Sequence, residues 1–161
     1  MKAKHFSFLL NFRKEQGAKG GFDLAEDDIP SEVSNLPGVY VIESTDGYKF
    51  DYPKGRCKVL YIGMSKDLRR RFQEHKKTLN KLIKNSEFGI EQRWVIHSRY
   101  QYMLCHGARI YYYNCRGKQY PKKMESIILW NFYEKYRALP VGNGACSFDV
   151  PPLEDNTYYD E

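Results

Sequence analysis

The clearest pattern along the chain is a pair of short apolar, β-branched runs. The first, Gly-Val-Tyr-Val-Ile from Gly38, stops at a Ser44-Thr-Asp-Gly47 turn, and the second runs Lys58-Val-Leu-Tyr-Ile-Gly63. Both read as strands, and their proximity predicts an antiparallel pair. The turn signals between them, Asp46-Gly47 and Pro53-Lys-Gly55, exceed what a tight hairpin needs and leave room for a small extra strand or a ligand-facing loop. Period two then gives way to helical spacing. Leu68, Phe72, Leu79 and Leu82 define a helix to about Asn85, with Ser65 as its expected cap and Asp67 in its first turn. Arg71 and His75, four apart, project from neighbouring positions of that helix.

Residues 88–106 carry no clear period. A strand is predicted over 108–113, then a turn at Gly117 and a helix opening at Pro121, where a missing N–H costs nothing. Glu125, Leu129, Phe132 and Tyr136 share one face of that helix, so a carboxylate heads an otherwise apolar stripe. The helix should stop before Pro140, with the turn-rich segment 141–145 bringing Asn143 back to the domain. These elements make an α+β fold. Residues 1–36 read as an N-terminal arm with room for one helix, 37–147 as the main domain, and 148–161 as an acidic, poorly ordered tail.

Composition narrows the class. With 161 residues, 42% hydrophobic and 16% aromatic, the chain can build one core, and it lacks the run of about 20 apolar residues that a membrane span requires. The apolar start, residues 6–12, is broken by Asn11, followed at once by Arg13 and Lys14, and lacks a small-residue cleavage site, so no signal peptide is expected. Cys57, Cys105, Cys115 and Cys146 are widely spaced, which suits buried thiols in a reducing cytoplasm better than disulfides or a zinc site. Trp94, Trp130 and Phe132 read as core, and Tyr111, Tyr112 and Tyr113 as packing residues.

The overall charge of +6 hides an uneven distribution. Residues 54–84 hold eleven Lys and Arg but only Asp67 and Glu74, a local balance of +9, whereas acidic residues gather in 23–32 and 149–161. A polyanion would meet the middle of the chain, and a phosphate backbone is the commonest such partner. Lys66, Arg69, Arg70, Lys76 and Lys77 are the candidate phosphate contacts, because point charges position a backbone without reading bases.

Gly38-Val39-Tyr40, Tyr61-Ile62-Gly63, the basic run from Lys66 to Arg71 with His75, then Glu125 and Pro140-x-x-Asn143 together resemble the GIY-YIG nuclease family, over residues 38–145. The resemblance implies a three-stranded antiparallel sheet flanked by helices and a site that hydrolyses DNA phosphodiesters with Mg2+ or Mn2+. On the matching positions, Tyr40 and Tyr61 would be the motif tyrosines, Arg71 the helix arginine, His75 the following His-or-Tyr position, Glu125 the metal ligand and Asn143 the late asparagine. Two departures stand out: Met64 replaces a small or basic residue, and the loop between the motifs is long.

The chemistry suits these residue types. In-line attack builds charge on phosphoryl and departing oxygens, which Arg71 and a metal at Glu125 would stabilise. A phenol must accept the water proton. Tyr40 is favoured for that, with Tyr61 orienting water or phosphate and with Arg71, His75 and nearby lysines favouring the phenolate. Asn143 is expected to position the surroundings of Glu125. The leading expectation is a stand-alone DNA endonuclease of restriction or mobile-element type, as a homodimer if both strands of a symmetric site are cut. The competing reading is a non-catalytic DNA-binding or structure-recognition module on the same scaffold, with Met64 in its favour.

Overall fold

The computed structural model describes residues 19–85, 98–116 and 120–144. The motif strands β2 (Gly38–Glu43) and β5 (Val59–Ser65) pair antiparallel, with Tyr40 opposite Gly63 and Ile42 opposite Tyr61. On its other side β2 pairs antiparallel with β6 (Arg109–Asn114). All six residues of β2 are buried, so helices and loops must cover both of its faces. The long connection between the motifs folds into a two-stranded ribbon, β3 (Phe50–Tyr52) with β4 (Gly55–Cys57).

The sheet has four antiparallel strands where the sequence suggested three. The fourth, β1 (Lys19–Asp23), comes from the arm and pairs with β6, giving the order β1-β6-β2-β5. A Gly-Gly sequence with one aromatic carries little strand propensity, and the edge of β6 supplies the backbone partners that make it a strand. The described part of the arm is therefore strand and turn rather than helix. Residues 1–18, Trp94, Gly117, Cys146 and the tail 148–161 lie outside the described residues.

Helix α1 (Leu68–Asn85) lays Leu68, Phe72, His75 and Leu79 on the sheet, where the Phe72 ring meets Tyr40, Tyr112 and Phe22 at 5.2, 5.8 and 5.8 Å. Its N-terminus is capped by Asp67, which the sequence placed in the first turn, rather than by Ser65. Ser65 accepts only from Asp67 N–H, and Asp67 is the true cap, accepting from Arg70 N–H at 2.9 Å. The N–H groups of Leu68 and Arg69 donate to Leu36 and Ser34 carbonyls of the arm. The orphan donors of the first turn are thus satisfied from within the chain.

The basic residues of α1 divide among its faces. Arg69 donates to the Pro30 and Val33 carbonyls at 3.0 Å each, and the Lys76 ammonium donates to Leu24 at 3.0 Å and Asp27 at 2.6 Å. These two cations strap residues 24–33 onto the helix. Arg70, Lys77, Lys81 and Lys84, spaced seven, four and three apart, form an exposed stripe on the outer face.

Helix α2 (Ser98–His106) forms the described end of the stretch without sequence period, and α3 (Pro121–Tyr136) starts with Pro at its first turn and packs on β5 and β2. Leu129, Phe132 and Tyr136 are buried as the stripe requires, and Arg137 closes α3 in the left-handed region at φ 60°. Trp130 is only half-buried, stacked on Tyr133 at 5.7 Å, and so lies outside the core where the sequence placed it. Cys105 is exposed and Cys57 and Cys115 half-buried, so the described cysteines are not the buried set the sequence suggested. Among the described residues no helix is long and apolar enough to cross a membrane.

Removing the Lys76 ammonium should release the arm without unfolding the sheet centre. Lys76→Met is expected to speed amide hydrogen exchange at residues 24–33 by about tenfold or more while β2 and β5 keep wild-type protection. Equal loss of protection throughout would show that the arm is no separable layer.

Candidate active site

Strand period and register bring the motif tyrosines to one face. Tyr40 pairs across with Gly63, Ile42 pairs with Tyr61, and alternation puts all four side-chain positions on the same side of the sheet. The Tyr40 and Tyr61 rings lie 6.0 Å apart. Gly63 makes this possible: a Cβ there would stand 2.6 Å from the Tyr40 ring and hydroxyl and 2.7 Å from the Tyr61 ring. At Gly38 a Cβ would strike the Tyr113 carbonyl oxygen and approach Leu68 to 2.5 Å. The glycines of both tripeptides are therefore demanded by close packing.

His75 reaches this face from α1. Its Nε2 is 2.6 Å from the Tyr40 hydroxyl, and its Nδ1 is 2.8 Å from the hydroxyl of Tyr100 on α2. All three side chains are buried, at 1%, 2% and 7% exposure for Tyr40, His75 and Tyr100. Burial, with Arg99 and Arg71 adding to it, pushes the His75 imidazole down to about 3, so it is neutral throughout the physiological range. Burial likewise raises the Tyr40 phenol well above its ordinary value. Tyr61 and Glu125 add to the rise, and Arg71 and Arg99 oppose it. Of the neighbours expected to favour a Tyr40 phenolate, Arg71 does so, whereas His75 brings no positive charge, and in the free protein desolvation outweighs both guanidinium groups.

Arg71 sits on the flank of α1 nearest the tyrosines, half-exposed and paired with Glu74 at 3.3 Å. Glu125, the fifth residue of α3, lies within electrostatic reach of Arg71 and Tyr40. Burial pushes its carboxyl up to about 7, with Lys122 and Arg71 offsetting only part of the cost. Among the described residues it has no ion pair and accepts no hydrogen bond.

Asn143 is buried and bonds the β5 backbone. From a single 3₁₀ turn, Val141–Asn143, its side chain accepts from Ile62 N–H at 3.0 Å and donates to the Ile62 carbonyl at 2.8 Å. It thus supplies the outer edge of β5 with a substitute strand and pins the residue between Tyr61 and Gly63. Of the candidate phosphate contacts, Lys66, Arg70 and Lys77 are exposed, Arg70 beside Glu74 at 3.1 Å, while Arg69 and Lys76 are taken up by the arm.

Two residues of the site had no signal in the sequence. Arg99 places its guanidinium 5.3 Å from the Tyr61 ring centre and 5.2 Å from that of Tyr100, and its buried Nε has no hydrogen-bond partner among the described residues. Tyr100 closes the hydrogen-bonded chain behind His75. Both lie in α2, whose residues show no repeating apolar spacing.

Chemically, the cluster offers two guanidinium groups for an anion, two phenols on either side of a neutral imidazole, and a desolvated carboxylate for a cation. No group of three or more His, Cys, Asp or Glu that could hold a metal occurs among the described residues. A lone, costly carboxylate fits Mg2+ or Mn2+ held mainly by water and substrate phosphate; it does not fit a self-sufficient protein metal centre. In comparisons with family models, curated proteins and solved structures, none matches this chain.

The raised carboxyl has a thermodynamic signature. The folded state holds the Glu125 proton more tightly than the unfolded state does. Ionisation therefore penalises folding above about pH 7, and the penalty vanishes below the ordinary value of 4.5. Partial exposure keeps the effect small. Glu125→Gln in EDTA should raise Tm at pH 8 by roughly 2–4 °C, equivalent to about 1 kcal/mol in a domain of this size, and leave Tm unchanged at pH 4. A lowered Tm at pH 8 would mean that the carboxylate is satisfied within the fold.

Proposed function

We propose that this chain is a divalent-metal-dependent DNA endonuclease with a GIY-YIG fold. The observation that carries the reading is convergence: Tyr40, Tyr61, Arg71, His75 and Glu125 come from four separate elements and meet around one buried hydrogen-bonded pair. Strands β6-β2-β5 correspond to the three-stranded sheet of that fold, and β1 is an addition at its edge.

In this reading the DNA backbone lies along the exposed stripe of α1, with Lys66, Arg70 and Lys77 on its phosphates. The scissile phosphate reaches Arg71 and Arg99. The Arg71–Glu74 pair is exposed, and pairs of that kind contribute about 0–1 kcal/mol, so a phosphate can displace Glu74. Glu125 would hold Mg2+ or Mn2+, which supplies charge neutralisation at the phosphoryl and departing oxygens.

Tyr40, once its own proton has passed to Nε2 of His75 at 2.6 Å, accepts the water proton as the water oxygen bonds to phosphorus and the bond to the departing sugar oxygen breaks, and that oxygen takes a proton from solvent. The high proton affinity of its buried oxygen makes it a strong base once ionised, and Arg71 and Arg99 favour that ionised form. Tyr61, under Arg99, orients water or phosphate, and Asn143 holds β5 in place. The target would be cytoplasmic DNA, in a restriction or mobile-element setting, with a homodimer cutting both strands of a symmetric site. Met64 is half-buried against the core, which accounts for an apolar residue after the second motif without a phosphate contact.

Glu125→Gln should abolish plasmid cleavage in Mg2+ or Mn2+ while leaving DNA affinity within a few-fold, because it removes a metal ligand and no cation. Parallel loss of binding and cleavage would assign Glu125 a structural role and remove the proposed chemistry.

Reversing the charges of Arg70 and Lys77 should reduce the slope of log affinity against log salt by about 0.9 for each duplex phosphate that is no longer neutralised. Neutralising Arg69 and Lys76 should leave that slope unchanged. The opposite pattern would place DNA on the arm side of α1.

A further inference from the structure

We infer that the β3–β4 ribbon and the end of α3 beside it form a second phosphate-contacting surface, which holds duplex DNA on the far side of the site from α1. The inference deepens the nuclease reading, on which the choice of partner rests. It adds a substrate class, a duplex that continues about five nucleotides past the scissile phosphate on the ribbon side.

The ribbon joins the two motifs, and one of its faces is fixed while the other stays in water. Phe50 and Tyr52 are buried, whereas Asp51 and Arg56, paired across the strands, are exposed. The Tyr52 hydroxyl donates to the Val59 carbonyl at 2.8 Å and accepts from Val141 N–H at 3.2 Å. Its ring meets those of Phe132 and Tyr136 at 5.1 and 5.5 Å. At the turn, Lys54 N–H donates to the Tyr136 carbonyl at 3.2 Å. The tip of the ribbon is thereby fastened to the C-terminal end of α3.

Six exposed cations stand on this fastened surface: Lys49, Lys54, Arg56 and Lys58 on or beside the ribbon, and Lys135 and Arg137 at the end of α3. Residues 49–58 and 134–137 hold only Asp51 and Glu134 against them, a balance of +4. Asp51 is paired with Arg56 at 2.7 Å, and both are so exposed that a phosphate can displace the carboxylate. Lys58 lies within electrostatic reach of Glu43, which is buried, and Lys135 lies 5.3 Å from the Tyr136 ring centre. Among the described residues none of the six donates a side-chain hydrogen bond to a carbonyl, in contrast to Arg69 and Lys76, which the arm occupies. Like charges gathered on a fixed surface repel one another, and a polyanion relieves that repulsion.

Two elements run from this surface to the site, and both make the span short. Along β5, Lys58 stands three residues from Tyr61, about 10 Å at the rise of a strand. Along α3, Arg137 stands twelve residues from Glu125, about 18 Å at the rise of a helix. At the other end of β5, Lys66 follows Ser65 and leads into α1. Tyr61 and Gly63 therefore lie between the ribbon cations and those of α1. With one phosphate per about 3.4 Å of each DNA strand, the two spans correspond to about three to five nucleotides.

The test measures binding of the full chain to linear duplex DNA in EDTA over a range of salt. Lys54→Gln, Arg56→Gln and Lys58→Gln change exposed side chains, so the triple variant should fold as the wild type does. Together they should lower the slope of log affinity against log salt by about 0.9 for each phosphate released, and combination with the charge reversals at Arg70 and Lys77 should add the two losses. A slope untouched by the ribbon substitutions, in a chain whose α1 variant does lose slope, overturns the inference and leaves the nuclease reading standing. A slope that falls only when both surfaces are altered overturns it too, because the DNA then uses them in turn rather than together. A wild-type chain that binds no duplex overturns both. The expected additive losses in a chain that cuts no DNA in Mg2+ or Mn2+ would uphold the surface and remove the nuclease reading instead.

Discussion

A phenol buried at the centre of a sheet must hydrogen-bond, and the rest of the site follows from how Tyr40 meets that requirement. An unpaired buried hydroxyl costs about 1–3 kcal/mol, and His75 provides the partner at 2.6 Å. The imidazole can serve there only if α1 lies across the sheet with Phe72 and His75 facing inward. That register puts Arg71 on the flank beside the tyrosines and turns Arg69 and Lys76 towards the arm. The second ring nitrogen then needs a partner of its own, which brings Tyr100 and with it α2 over the site.

Charge is distributed by the same logic. Burial keeps His75 neutral, so the positive character of the site comes from the guanidinium groups of Arg71 and Arg99. Glu125 lies within electrostatic reach of Lys122 and Arg71 in a position that costs it solvation, and the two cations offset only part of that cost. The acidic arm, strapped to α1 by two cations of the basic block, removes those cations from the outward face. What remains exposed is a stripe aligned with the helix axis, a geometry suited to a linear polyanion.

Much of this was legible in the sequence for definite reasons. Strands β2 and β5 announce themselves by β-branched runs between turn residues, α1 by its apolar spacing, and α3 by Pro121 and the stripe from Leu129 to Tyr136. The motif residues stand on those elements, so most of the candidate site could be placed. The fourth strand could not, because Lys-Gly-Gly-Phe-Asp owes its conformation to the edge of β6. Nor could Arg99 and Tyr100, which sit on a short helix without apolar period and matter through side chains far away in sequence. The roles of Arg69, Lys76 and Asn143 depend on backbone groups of distant segments, which composition and spacing do not reveal. Asp67 took the capping role expected of Ser65 because the helix starts at Leu68, the residue directly after it.

The central claim is that this buried cluster, with a divalent ion, hydrolyses DNA. Supercoiled plasmid incubated with the wild-type chain and Mg2+ or Mn2+, beside an EDTA control, tests it most directly. The account predicts nicked or linear product in either ion and none in EDTA; tight binding to DNA with intact supercoils in both ions would contradict it.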